Sequence, residues 1–122
     1  MSTESMILMK ELHALINDSI GYVENVLYGT EISSNDYLGG NLSLDDISTL
    51  RTLSLSEKQK HSMNKLLLAL GRLSVVGVLS VIDGIVVSDK LDLPDLSLVN
   101  RDSNKDIADV FPLNEEFYHY ID

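Results

Sequence analysis

Histidines and carboxylates are the side chains here that could do chemistry. The three histidines, His13, His61 and His119, stand far apart in sequence. Glu116 and His119 form one E-x-x-H spacing, which on a helix sets both groups on one face. Carboxylate-bridged di-iron bundles need that motif twice, plus two further glutamates on facing helices. No histidine has a second one four residues away, so the zincin helix is excluded. Serines are plentiful, but none sits in a G-x-S-x-G elbow. The glycines form neither G-x-G-x-x-G nor G-K-[ST], so no phosphate-cradling loop is encoded. The paired carboxylates Asp45-Asp46 and Glu115-Glu116 are neighbours in sequence and point about 100° apart on a helix. They suit helix starts better than general acid–base work. Catalytic, cofactor and metal sites are therefore all expected to be absent, and the chain is expected not to be an enzyme.

Charge is the more informative feature. The formal net charge is −10 over 122 residues. Residues 1–50 hold eight carboxylates against Lys10, and residues 83–122 hold ten against Lys90, Arg101 and Lys105. Between them, residues 51–82 hold Arg51, Lys58, Lys60, Lys65 and Arg72 against Glu57 alone. Two acidic segments flanking a basic middle point to a basic protein partner and away from direct nucleic-acid binding. The chain has no cysteine, which excludes disulfides and thiolate chemistry and fits a cytoplasmic protein. The first residues, MSTESMILMKEL, lack the basic and apolar regions of a secretory signal.

The elements that must position these groups read as follows. Apolar residues recur at helical spacing from Leu8 to Leu27, predicting a helix over 4–28 with Ser2 or Thr3 as its cap and Gly29 just past its end. Glu11, Asp18 and Glu24 fall off the stripe and are expected in solvent. Residues 30–42 read as a loop. Ser43 with Asp46 predicts a short helix through about Leu50. Ser54 with Glu57, or Ser56 with Gln59, starts a long central helix running to about Ile82. Asp83-Gly84 reads either as its stop or as the turn of a hairpin within 75–87, with the helix favoured. Two short strands, 96–100 and 105–108, flank a turn at Arg101-Asp102-Ser103-Asn104. Asn114 is expected to cap a last helix over 115–121.

Residues 66–87, LLLALGRLSVVGVLSVIDGIVV, resemble a membrane span. Arg72 and Asp83 interrupt them, and a span needs about 20 apolar residues. The expectation is a buried core helix and no membrane contact. Gly71, Ser74, Gly77 and Ser80 recur every third residue, a spacing expected to serve tight packing within the domain.

Phe111, Phe117, Tyr118 and Tyr120 cluster beside Asp109, Glu115, Glu116 and Asp122. Aromatics ringed by carboxylates can anchor an interface, while Phe117 and Ile121 are placed to dock the last helix. The fold class expected is mainly α (α+β): residues 1–122 as a single compact domain with a long central helix and a small C-terminal β-hairpin. In length, charge, helical front half and the tail LSLVNRDSNKDIADVFPLNEEFYHYI, the chain resembles the small, acidic, cysteine-free immunity proteins that accompany bacterial polymorphic or contact-dependent toxins. That resemblance implies a cognate toxin, often a basic nuclease, blocked by an acidic surface. Asp45, Asp46, Glu115, Glu116, Tyr118 and Tyr120 are the expected contacts. Two other classes remain open: a phage-type anti-defence inhibitor mimicking nucleic-acid charge, and a regulatory or structural homo-oligomer using the small-residue face.

Overall fold

The computed structural model describes residues 2–30, 41–84, 96–108 and 111–120. Its elements are α1 (Thr3–Tyr28), α2 (Leu44–Leu50), α3 (Glu57–Ile82), β1 (Val99–Asn100), β2 (Lys105–Asp106) and α4 (Leu113–His119). The protein is mainly helical, with a long central helix and a small two-stranded antiparallel hairpin near its C-terminal end. Residues 31–40 of the expected loop, residues 85–87 of the hairpin alternative and the docking role of Ile121 lie outside the described residues.

Capping chemistry sets the helix starts. The Ser2 hydroxyl accepts from the Ser5 amide at 3.1 Å and opens α1. Ser43 and Asp46 form a complete capping box at α2. At α3 the second register wins: the Ser56 hydroxyl accepts from the Gln59 amide, and the Ser56 amide donates to Gln59 Oε1 at 2.8 Å. The helix ends where the glycine requires it, since Gly84 adopts φ +72, in the left-handed region that favours glycine. The hairpin alternative for this segment therefore fails at its first strand, because residues through Ile82 are helical.

The chain folds as two compact units: residues 1–14 with 71–122, and residues 15–70. In the first unit Ser5, Met9, Leu79, Ser80, Leu113, Glu116 and Phe117 are buried. Ser5 donates to the Ile107 carbonyl at 2.7 Å, and Asn100 donates to Glu4 at 2.8 Å, so two bonds hold the hairpin against α1. The pairing is Val99 with Asp106 and Asn100 with Lys105. Asn104 closes the turn at φ 57, a conformation asparagine tolerates. In the second unit Ile16, Ile20, Val26 and Ile47 are buried. Arg51 donates from Nε to the Val26 carbonyl at 3.0 Å and from Nη2 to the Asn25 carbonyl at 3.1 Å. Its cation thus ties down the end of α1, satisfying the Val26 carbonyl and adding a second donor to the Asn25 carbonyl, which already accepts from the Gly29 amide. Asn64 on α3 donates to Glu24 on α1, so Glu24 is half-buried and not in open solvent.

Three further expectations change. α4 begins at Leu113, two residues early, with Pro112 at its cap and no side-chain cap bond. Asn114 therefore lies inside the helix; its amide donates to Asp83 at 2.9 Å. The larger change concerns α3, which is not a buried core helix. Only 11% of its most apolar stretch is buried, and Leu66, Leu70, Leu73 and Val78 are exposed. The helix is long and apolar enough, by length and composition, to cross a membrane. Nor do the small residues of α3 all pack closely: Ser80 is buried, but nothing lies within 4 Å of where a Gly77 Cβ would stand.

Candidate interaction surface

The capping box that starts α2 also fixes the first acidic pair. Asp45 and Asp46 are exposed in the first turn, where carboxylates complement the positive helix end. The Ser43 backbone amide, 2.9 Å away, and then the Ser43 hydroxyl hold the Asp46 carboxyl below its ordinary value of 3.8. A depressed folded value stabilises the protein above the unfolded value, and that contribution disappears as pH falls through the folded one. Asp46→Asn is therefore expected to show a smaller loss of thermal stability than the parent between pH 5 and about pH 3. Melting curves across that range check it; identical pH slopes would contradict the capping assignment.

On α4 the helical spacing separates four expected contacts into two faces. Leu113, Glu116 and Phe117 face inward. Tyr120 follows them half-buried, with its ring stacked 5.2 Å from that of His13. Glu115 and Tyr118, three residues apart, share the outer face, and Tyr118 is 60% exposed. Glu116 is thus removed from the surface, with only 3% of its area exposed, and both carboxylate oxygens lack a hydrogen-bond partner. The acidic pair Glu115-Glu116 splits because 100° of rotation carries the second residue over the edge of the core face. Asp45 and Asp46 belong to the second compact unit, Glu115 and Tyr118 to the first.

The hairpin and the start of α4 enclose a cleft of about 330 Å³ that the sequence did not suggest. Asp83, at the end of α3, and Asp106, on β2, line it together with Leu96, Leu98 and Phe111. Leu96 and Phe111 are also exposed, at 44% and 56%. Two carboxylates set in apolar walls suit one long cationic side chain, whose methylene stem lies on the apolar wall while its head reaches the acids. Asp106 follows Asp83 by 23 positions, and no spacing rule links them. The only advance signal was the punctuation around each, Asp83-Gly84 and the hairpin turn.

No catalytic constellation accompanies this surface among the described residues. Among the described residues, no group of three or more His, Asp or Glu side chains is placed to hold a metal ion. Ser62 and Lys65 stand at the S-x-x-K spacing, but both are exposed on one helix and no third group joins them. His13 is absorbed structurally: its ring stacks on Phe117 at 4.2 Å, and its Nε2 lies 3.2 Å from the Phe117 carbonyl oxygen. No family model, no curated protein and no solved structure matches this chain.

Proposed function

We propose that this protein is a non-catalytic, acidic inhibitor that neutralises a basic protein by direct complex formation. The form that best suits it is a cytoplasmic bacterial immunity protein acting on a nuclease-type toxin. The observation that carries the proposal is the cleft between Asp83 and Asp106, with Phe111 and Leu96 at its walls. An enzyme that handles nucleic acid presents arginines and lysines for phosphate. One such side chain entering the cleft would exchange its phosphate for two carboxylates, and exposed Tyr118 and Glu115 extend the contact. Net charge −10 accelerates encounter with such a partner at low salt. Blocking by occupation needs no reacting group on the inhibitor.

The test is capture of partners by the tagged full chain at low salt, with elution by a salt gradient, repeated with Asp106→Lys and Phe111→Ala. Asp106 and Phe111 are exposed, so both variants are expected to fold. The expected result is a single basic, nucleic-acid-handling protein at one-to-one stoichiometry, bound at least about tenfold more weakly by either variant. The purified partner's activity should fall on adding the parent chain. Recovery of the protein by itself, or a partner that both variants bind as well as the parent does, would overturn the proposal.

A further inference from the structure

The two long helices carry matched rows of charge on their outward faces. On α3, Lys58, Lys65 and Arg72 recur every seventh residue, and all three are exposed. Beside them runs an apolar row, also at a spacing of seven, in which Leu66 and Leu73 are 64% and 60% exposed. On α1, Glu4, Glu11 and Asp18 recur every seventh residue and are likewise exposed, Glu4 with one carboxylate oxygen already accepting from Asn100. The adjoining row holds Leu15 and Tyr22, at 59% and 50% exposed. Each charged row spans 14 residues, about 21 Å of helix. A spacing of seven keeps each row on one face of its helix, the arrangement by which paired helices present flanking charges to one another. Among the described residues, Lys60 pairs with Glu57, and no member of either row forms a salt bridge with another described residue.

We propose that the outward face of α3 docks on the outward face of α1 of a second copy of this chain. Large exposed leucines on a helix mark a docking surface, but by themselves they do not say what covers it. The charge pattern does. The occupant must offer an apolar stripe flanked by acids at a seven-residue spacing, and α1 of this same sequence offers one of equal length. A bilayer supplies no such row, and it would have to accept Lys65 and Arg72 along its apolar depth. The pairing is heterologous at the level of the helices. Two copies exchanging the contact reciprocally form a closed dimer; copies that cannot close extend into a chain. This contact is independent of the cleft at Asp83 and Asp106.

Sedimentation equilibrium of the purified full chain, from about 1 to 200 μM, tests it. The expected result is a reversible, concentration-dependent mass above the monomer, weakened by raising salt from about 20 to 300 mM because screening acts on both rows. Glu11 and Lys65 are the middle members of their rows and meet whether the helices run parallel or antiparallel. Glu11→Lys and Lys65→Glu are each expected to weaken association about tenfold, and the two together to restore it to within about threefold. Leu66→Gln should weaken it without changing its salt dependence. Glu11, Lys65 and Leu66 are all exposed, and circular dichroism checks that each variant folds. A monomer at every concentration overturns the proposal, as does a double charge exchange that restores nothing. A chain that is monomeric in buffer but sediments with phosphatidylcholine vesicles overturns it in favour of a lipid occupant.

Discussion

Phe117→Ala is expected to lower the free energy of unfolding by about 3–5 kcal/mol, the usual cost of emptying a buried aromatic site. The side chain is 1% exposed and is the largest fully buried one among the described residues. Its ring lies 4.2 Å from that of His13, with the planes 10° apart. Truncation removes that stack as well as the buried area, and His13 then faces a cavity beside a carbonyl it had been held against. Domains of this size have total stabilities of about 5–15 kcal/mol, so the loss takes a large share of what holds the protein folded. Urea denaturation followed by circular dichroism reads it. The neighbouring Tyr118→Ala provides the contrast: Tyr118 is 60% exposed, so its removal should change stability by no more than about 0.5 kcal/mol. A Phe117→Ala loss under about 1 kcal/mol would mean that α4 is not anchored through this ring.

That contrast between adjacent residues marks where sequence reading succeeds. Helix existence and order were legible because capping pairs and apolar periodicity agree: Ser43 with Asp46, Ser56 with Gln59, Gly84 at the stop. The hairpin was legible from its turn residues, though only Val99–Asn100 and Lys105–Asp106 pair as strands. The exposure of α3 is not legible from its composition, because apolarity along a helix does not by itself mean enclosure. Apolar residues are common on protein surfaces, so the rule runs one way only. The candidate site was less legible. Asp45, Asp46, Glu115 and Tyr118 do stand at the surface. The cleft was not foreseeable, since it joins residues from the end of α3, the hairpin and the approach to α4. The burial of Glu116 follows from its register on α4 and not from its charge: it falls three residues after Leu113 and next to Phe117, on the face that turns inward.

Glu116→Met is expected to raise stability by about 1–3 kcal/mol, the range measured for burying a polar group without compensating hydrogen bonds. Methionine keeps the length and volume of the side chain and adapts to the existing space. Neither Glu116 oxygen has a hydrogen-bond partner, and the residue sits between Leu113 and Phe117 on the buried face. For a chain of this length the gain corresponds to a rise in Tm of roughly 3–10 °C. Thermal melts of the parent and the variant decide the matter, and a fall in Tm would mean that Glu116 is satisfied by groups outside the described residues. The comparison also bears on binding. A polar group held in a core at an energetic penalty breaks a local folding rule, and such departures concentrate at functional sites. If Glu116→Met melts higher and still binds the proposed basic partner with unchanged affinity, Glu116 contributes nothing to recognition, and Glu115 and Tyr118 remain the proposed contacts on α4. If the stabilised variant binds the proposed basic partner more weakly, Glu116 takes part in recognition, and α4 must turn it outward in that complex.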